Sequence, residues 1–444
     1  MRSITVRDWS DWLFYLALAM LPVDGTVIGL YMPFWTPISP WLFLLYALVN
    51  WKSVAGIIRG ASPSLRMFLM LPCAMVVLSV VGWSAVAMRP AQVLISVVAL
   101  LASGACLLSV QTAVSEKRLP WRPMIEMVMA VYWLAFAVGV LQYLAVSWDV
   151  AFVREYFVHL MSREYVSDGR PQFLFAEPSY IGMHLFGVLL PLRWLLRHRA
   201  PDLAYNIGVL IVVFAVGAMA LGAGTRIVLD SLVALVISIV ISTTWRKRNQ
   251  RRRGIAGLSG MLVIGAAAFA LNNRLSSIIE HGVDGDGSFF GRVWQSLGVF
   301  CGLWKEPLNL LFGFGAGNLF DATETGGSEA VRILRFWGYD PSPAEHWYAI
   351  ITPDSMFTMS AYASFVGEFG LVGFAVLIVA IVMHVAQTCG WNKTLVCWLL
   401  LVAYLYLQFE GYAFYALPLF MWGAPMLSSV TKSPDSETCE GRNT

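Results

Sequence analysis

Apolar runs of about twenty residues recur along the whole chain, and this limits its fold more than any other feature. A helix needs ~20 mainly apolar residues to cross a bilayer. Inside hydrocarbon a segment must satisfy its own backbone hydrogen bonds, which a helix does and an open strand does not. Twelve runs qualify, at roughly 12–31, 37–51, 67–88, 91–114, 124–148, 179–196, 205–224, 226–244, 255–272, 358–386, 394–410 and 412–430. Only 13% of the residues are charged, where a soluble domain carries about 25%. The expected fold is therefore an all-α polytopic membrane protein of about 12 transmembrane helices. The first run is the weakest, because Pro22, Asp24 and Gly25 interrupt it. No small-residue cleavage site follows it, so it reads as a retained helix rather than a signal peptide.

Basic residues in short loops mark the cytoplasmic side of a membrane protein. With the N-terminus inside and the runs alternating, two thirds of the 30 lysines and arginines fall in cytoplasmic tails, short loops or helix ends. Most of the others lie in two long outer loops, where the rule does not apply. Both termini are expected inside. The layout is then helices 1–5 over 1–148, an outer loop over 149–178, helices 6–9 over 179–272, a large outer loop over 273–357, helices 10–12 over 358–430 and a cytoplasmic tail over 431–444. The basic run Trp245–Gly254 reads as a loop beside anionic membrane lipids. Nucleic-acid binding is not expected, since nothing soluble or aromatic-rich accompanies that run. The six cysteines are scattered without a CxxC pair or a Cys/His cluster, so neither a disulfide framework nor a metal site is expected.

The outer loops carry the unusual residues. The first holds an expected interfacial helix (Val150–Met161) and leads into Arg170-Pro-Gln-Phe-Leu-Phe-Ala-Glu177-Pro178-Ser179. Pro178 suits the first position of a helix, which puts Glu177 at or beside its N-cap. The second loop opens on His281-Gly-Val-Asp-Gly-Asp-Gly-Ser, whose Asp-x-Asp-Gly spacing lacks the later Glu of a calcium loop and reads as a flexible turn. An amphipathic stretch follows (Phe289–Trp304, with Arg292), then a Gly-rich turn from Gly313 to Asn318. Segment 322–355 is mixed polar and aromatic and includes His346. No βαβ unit surrounds the Gly-rich turn, so it is not a dinucleotide fingerprint.

Charged residues at helix ends in a membrane protein are functional candidates, and each also has an ordinary reading. Arg226 opens a span, where the helix dipole opposes a cation. An anionic ligand would offset this, and so would Asp230 one turn on. Arg292 suits lipid phosphates, and Arg170 suits Glu177 or Asp168. Asp354 and Glu177 both suit N-caps. Glu368 belongs near the outer surface, facing the same cavity, with Asn318 and His346 as further cavity candidates. Asp24 has no evident role. Together, three arginines and two or three carboxylates fall at outer helix ends on one side of the membrane. That set fits a lipid-linked diphosphate whose sugars face outward. The arginines would stabilise the diphosphate as leaving group, and a carboxylate would take the proton of an acceptor hydroxyl.

These residues also resemble a known family. Phe175-Ala-Glu177-Pro178-Ser179 and Gly224-Thr225-Arg226 each open a span. Gly291-Arg292-Val-Trp294 comes next, then Pro307 with Leu311-Phe-Gly313-Phe-Gly315-Ala-Gly317-Asn318, and last Phe365-Val-Gly-Glu368-Phe-Gly370-Leu-Val-Gly373. In this order the motifs resemble the O-antigen polymerase and O-antigen ligase family of bacterial membrane glycosyltransferases, across about 170–375. The resemblance implies transfer of an undecaprenyl-diphosphate-linked glycan at the periplasmic face of the inner membrane, without nucleotide sugars; no cofactor is expected, since the arginines supply the positive charge. It implies a lipid-linked donor and acceptor, and a chain-length regulator and a flippase as pathway partners. It places Arg226 and Arg292 on the diphosphate, which Arg170 joins from the reading of the charges alone. The ligase branch carries a His-Asn pair where this chain reads Thr352-Pro-Asp354-Ser355, which favours a polymerase and leaves Glu177 and Asp354 as candidate bases. A ligase acting on lipid A core or protein is the alternative. A lipid-linked oligosaccharide transporter is the second, although no internal repeat of the transporter kind is visible.

Overall fold

A computed structural model of the protein describes residues 6–28, 35–271, 276–277, 280–281, 285, 287–388 and 391–431. Asp284 and Asp286 of the Asp-x-Asp-Gly turn, Arg274 and nearly all of the C-terminal tail lie outside the described residues. Among the described residues the fold is all-helical and holds no strand, only an isolated bridge between Thr26 and Met161.

The helices run in chain order as α1 (Ser10–Ala19), α2 (Ser39–Val49), α3 (Trp51–Gly60), α4 (Pro63–Leu69), α5 (Leu71–Ala85), α6 (Pro90–Gln111), α7 (Trp121–Ser147) and α8 (Ala151–Leu160). A broken span over 178–196 follows, with α9 (Ile181–His184) and α10 (Leu190–Leu196) inside it. Next come α11 (Pro201–Ala220), α12 (Arg226–Ser242) and α13 (Arg248–Leu271). The large loop supplies α14 (Gly287–Lys305), α15 (Pro307–Phe312), α16 (Leu319–Phe336) and α17 (Ser342–Ile350). The chain then passes through α18 (Ala361–Gln387), α19 (Lys393–Tyr406) and α20 (Ala416–Thr431).

Among the described residues, five helices are long and apolar enough to cross a membrane: Pro90–Glu116, Trp121–Ser147, Pro178–Leu196, Pro201–Ala220 and Ala361–Gln387. The count reaches seven if the bent pairs α2–α3 (87°) and α4–α5 (54°) each make one span. Hydropathy read as twelve continuous runs thus resolves into fewer long helices. The first run yields only the ten residues of α1, ending before Pro22. Two others break at Asn50 and Met70, and α12, α19 and the apolar part of α20 are short.

The span over 178–196 is the centre of the bundle: its apolar window is 83% buried, against 28% to 50% for the other four. A π-turn at Leu185–Leu189 widens it just before Pro191. Proline has no N–H to offer the carbonyl four residues back, so the ladder re-registers there. Within the large loop, α14 and α16 pack at backbone distance. A Cβ on Gly302 would lie 1.9 Å from the Ala322 carbonyl oxygen, and one on Gly326 would lie 1.9 Å from that of Gly298. Small residues at such spacing let two helices approach closely in membrane proteins.

Candidate functional site

Three of the expected arginines meet. A cavity of about 440 Å3 is lined by Arg170, Arg226, Arg292 and Glu177, with Tyr165, Ser179, Gln408 and other residues completing the wall. The elements that supply them are far apart in sequence: the strap before the central span, the start of α12 and the first turns of α14.

Arg226 is the best-defined of them. It is the first residue of α12 and is 6% exposed. Its Nε lies 3.6 Å from Asp230 Oδ2, one turn on. That separation gives charge compensation without a hydrogen bond. None of Nε, Nη1 and Nη2 has a hydrogen-bond partner. Asp230 is fully buried, and its Oδ1 accepts from Tyr404 Oη at 2.8 Å. Gly182 makes room for it, since a Cβ there would lie 2.0 Å from Asp230 Oδ2. The expected i,i+4 pair therefore exists, yet it leaves the guanidinium donors of this cavity-lining residue without hydrogen bonds. Each buried unmet donor costs about 1–3 kcal/mol, so an anion in the cavity would offset a standing penalty.

Arg170 reaches the same place by a different route. Its Nη2 donates to the Ala223 carbonyl at 3.3 Å, and its guanidinium sits 5.5 Å from the centre of the Tyr165 ring. The turn before α12 admits it because Gly224, at φ +150°, carries no Cβ; one there would lie 3.2 Å from Arg170 Nη2. Burial and the Glu177 charge both raise the Tyr165 phenol above its ordinary value, so it stays protonated. Arg292 is half-buried on α14 and lines the same cavity.

Glu177 occupies the N-cap position of the short turn Pro178–Tyr180, with Pro178 at its first residue. The side chain makes no capping bond, contrary to the sequence reading. Its Oε1 pairs instead with Arg163, and its Oε2 accepts from Ser179 Oγ at 2.8 Å. Burial opposes the Arg163 charge, but the Glu177 carboxylate overrides this and holds the guanidinium above its ordinary value. Of the two ordinary partners offered for Arg170, Glu177 is thus taken by Arg163. That residue sits in an irregular loop, where no periodicity could single it out.

The other candidates lie elsewhere. Asp354 and Glu368 line a second, smaller cavity of about 90 Å3, together with Gln92, Ser96, Glu410 and Tyr412. Glu368 Oε2 accepts from Ser96 Oγ at 2.5 Å, and Oε1 from the Gly317 N–H at 3.0 Å. Asp354 is exposed and accepts from Gln92 Nε2 at 2.5 Å. It caps no helix, because α18 starts at Ala361, seven residues on. Asn318 is fully buried, donates to the Phe314 carbonyl at 3.1 Å and lines neither cavity. His346 is exposed on α17 and also lines neither. Sequence reading missed Glu410, whose carboxylate accepts from Ser364 Oγ at 2.5 Å and from the Thr358 N–H at 3.1 Å. A carboxylate ending an apolar run was the signal that marked it.

Compared with models of known protein families and with curated proteins, the chain matches none.

Proposed function

We propose that the protein is a membrane glycosyltransferase that polymerises undecaprenyl-diphosphate-linked oligosaccharide units into O-antigen, capsular or exopolysaccharide. The observation that carries this reading is Arg226, which is buried on a cavity with its guanidinium donors unused, beside Arg170 and Arg292. Clustered arginines suit a diphosphate, because their planar forks match its oxygens. The diphosphate would sit on the three arginines with the first sugar toward Glu177. The bond between the anomeric carbon and the diphosphate oxygen breaks, and its electron pair leaves with the diphosphate. A new bond forms from the anomeric carbon to an acceptor hydroxyl, whose proton passes to a carboxylate. Glu177 is the better candidate for that base, since it lines the same cavity as the arginines and Asp354 does not. The arginines supply the positive charge that other transferases take from a metal ion.

In this reading the chain crosses the bacterial inner membrane twelve times, with the shorter apolar helices included. Both termini are cytoplasmic, and the cavity opens to the periplasm beside a flippase and a chain-length regulator. The test is a gel of surface and lipid-linked glycans from a strain lacking the protein. Single repeat units on their normal acceptor, with long chains lost, support the polymerase. Long chains trapped on undecaprenyl diphosphate would point to a ligase. Repeat units trapped on the cytoplasmic face would point to a transporter.

A further inference from the structure

Asp24 interrupts an apolar run for no reason visible in the sequence, yet it is fully buried and fully engaged. Its Oδ1 accepts the Ala176 N–H at 2.9 Å. Its Oδ2 accepts Trp35 Nε1–H at 2.8 Å and lies 2.9 Å from His184 Nε2. His184 in turn meets Tyr132 Oη at 2.8 Å through Nδ1. The backbone of the same segment continues the grip. The N–H groups of Asp24 and Gly25 both lie 3.2 Å from the Leu174 carbonyl oxygen. On its other side, the Gly25 carbonyl accepts the Ser162 N–H at 2.8 Å and Ser162 Oγ at 3.0 Å. Only glycine fits at position 25, since a Cβ there would lie 2.3 Å from the Phe175 carbonyl group.

Two of the residues this segment holds, Ser162 and Ala176, each immediately precede one member of the Arg163–Glu177 pair. One short segment thus fixes both ends of an ion pair whose carboxylate lines the cavity. A second brace comes from α7: Gln142 Oε1 accepts the N–H groups of Gln172 and Phe173 at 3.1 and 2.7 Å. Phe173 is buried with φ +61°, a conformation costly for a side chain of that size and held only by such surroundings.

We propose that the Asp24–Gly25 segment is a clamp that sets the Arg163–Glu177 pair in the cavity wall, with Asp24 as its positioning residue. Asp24 touches neither the cavity nor a substrate; it acts through Glu177. The clamp itself stands on geometry, and only its effect on turnover rests on the function proposed above.

Hydrogen exchange of the full chain in lipid nanodiscs tests the clamp directly. In Asp24→Ala, exchange in segments 160–163 and 172–177 should rise tenfold or more, as for a region opened locally, with the rest of the bundle unchanged. Asp24→Asn keeps an oxygen for the Ala176 N–H and should open these segments less. It also stands in for Asp24→Ala should that variant fail to assemble. No local rise, an even rise across the bundle, or equal opening in both variants would overturn the clamp. Polymerisation assays then test the positioning role. Asp24→Ala should lower kcat about tenfold to a hundredfold while KM for the lipid-linked substrate stays nearly constant. It should add no further loss in a Glu177→Gln background. A loss confined to KM, or losses that multiply, would refute action through Glu177. Normal turnover by Glu177→Gln alone would remove Glu177 as the base, and with it the positioning role of Asp24, and leave the exchange result to judge the clamp.

Discussion

The two polar cavities are built from the same kinds of residue and end in opposite states. Around Glu368 and Glu410 the carboxylates are filled from within: hydroxyls of Ser96 and Ser364 and the N–H groups of Gly317 and Thr358 occupy their oxygens. The Gly317 bond ties the Gly-rich turn to α18, where Gly370 breaks the helix at φ +66°. A Cβ on Gly313 would lie 2.2 Å from the Glu368 carbonyl oxygen, so turn and kink meet at backbone contact. Around Arg226 the charge is balanced by Asp230 at 3.6 Å while the donors stay open. A buried polar group whose bonds are complete braces the fold, and one whose donors stay open awaits a partner. On the proposed reading, the acidic cavity is structural and the basic one binds the substrate.

Substitutions break or sharpen that contrast, beginning with the largest expected effect. Arg226→Ala should lower polymer formation by at least about a hundredfold, as loss of a transition-state charge partner does, with protein still present in the membrane. Normal polymer would end the diphosphate assignment. Glu177→Gln should cost about 10 to 1000-fold in turnover, because the amide keeps the Ser179 contact but cannot take a proton. Near-normal turnover would move the base to Asp354. Glu368→Ala should act on stability instead, since it strands the buried Gly317 N–H at a cost of about 1–3 kcal/mol. Thermal unfolding in detergent should show a lower midpoint, and turnover per folded molecule should hold. A variant that is stable but inactive would return Glu368 to the site. His346→Ala should change stability by under about 0.5 kcal/mol and leave polymer length on a glycan gel as in the unsubstituted protein.

The helical, membrane-embedded class was legible in the apolar runs, and so was the convergence of Arg170, Arg226, Arg292 and Glu177. Those four signals survive because each lies close in sequence to a helix start, which the apolar and amphipathic runs locate. The span count was less legible, because hydropathy records apolar length and not bends such as that between α4 and α5. Assigning Asp354, Glu368, Asn318 and His346 to the same cavity failed for a related reason. All belong to or follow the large loop, whose path depends on backbone contacts between glycines that no residue pattern reports. Arg163 and Asp24 act through irregular segments held by long-range bonds, so neither had a period to reveal it.

The central claim is that the Arg226 cavity binds a lipid-linked diphosphate. Its most direct test is the binding of undecaprenyl diphosphate to the purified protein in nanodiscs, measured for the unsubstituted chain, Arg226→Ala and Glu368→Gln. Saturable binding that weakens at least about tenfold in Arg226→Ala, the loss of one charged hydrogen-bonding partner, and persists in Glu368→Gln is the predicted result. Equal binding by all three, or a loss seen only in Glu368→Gln, would contradict the account.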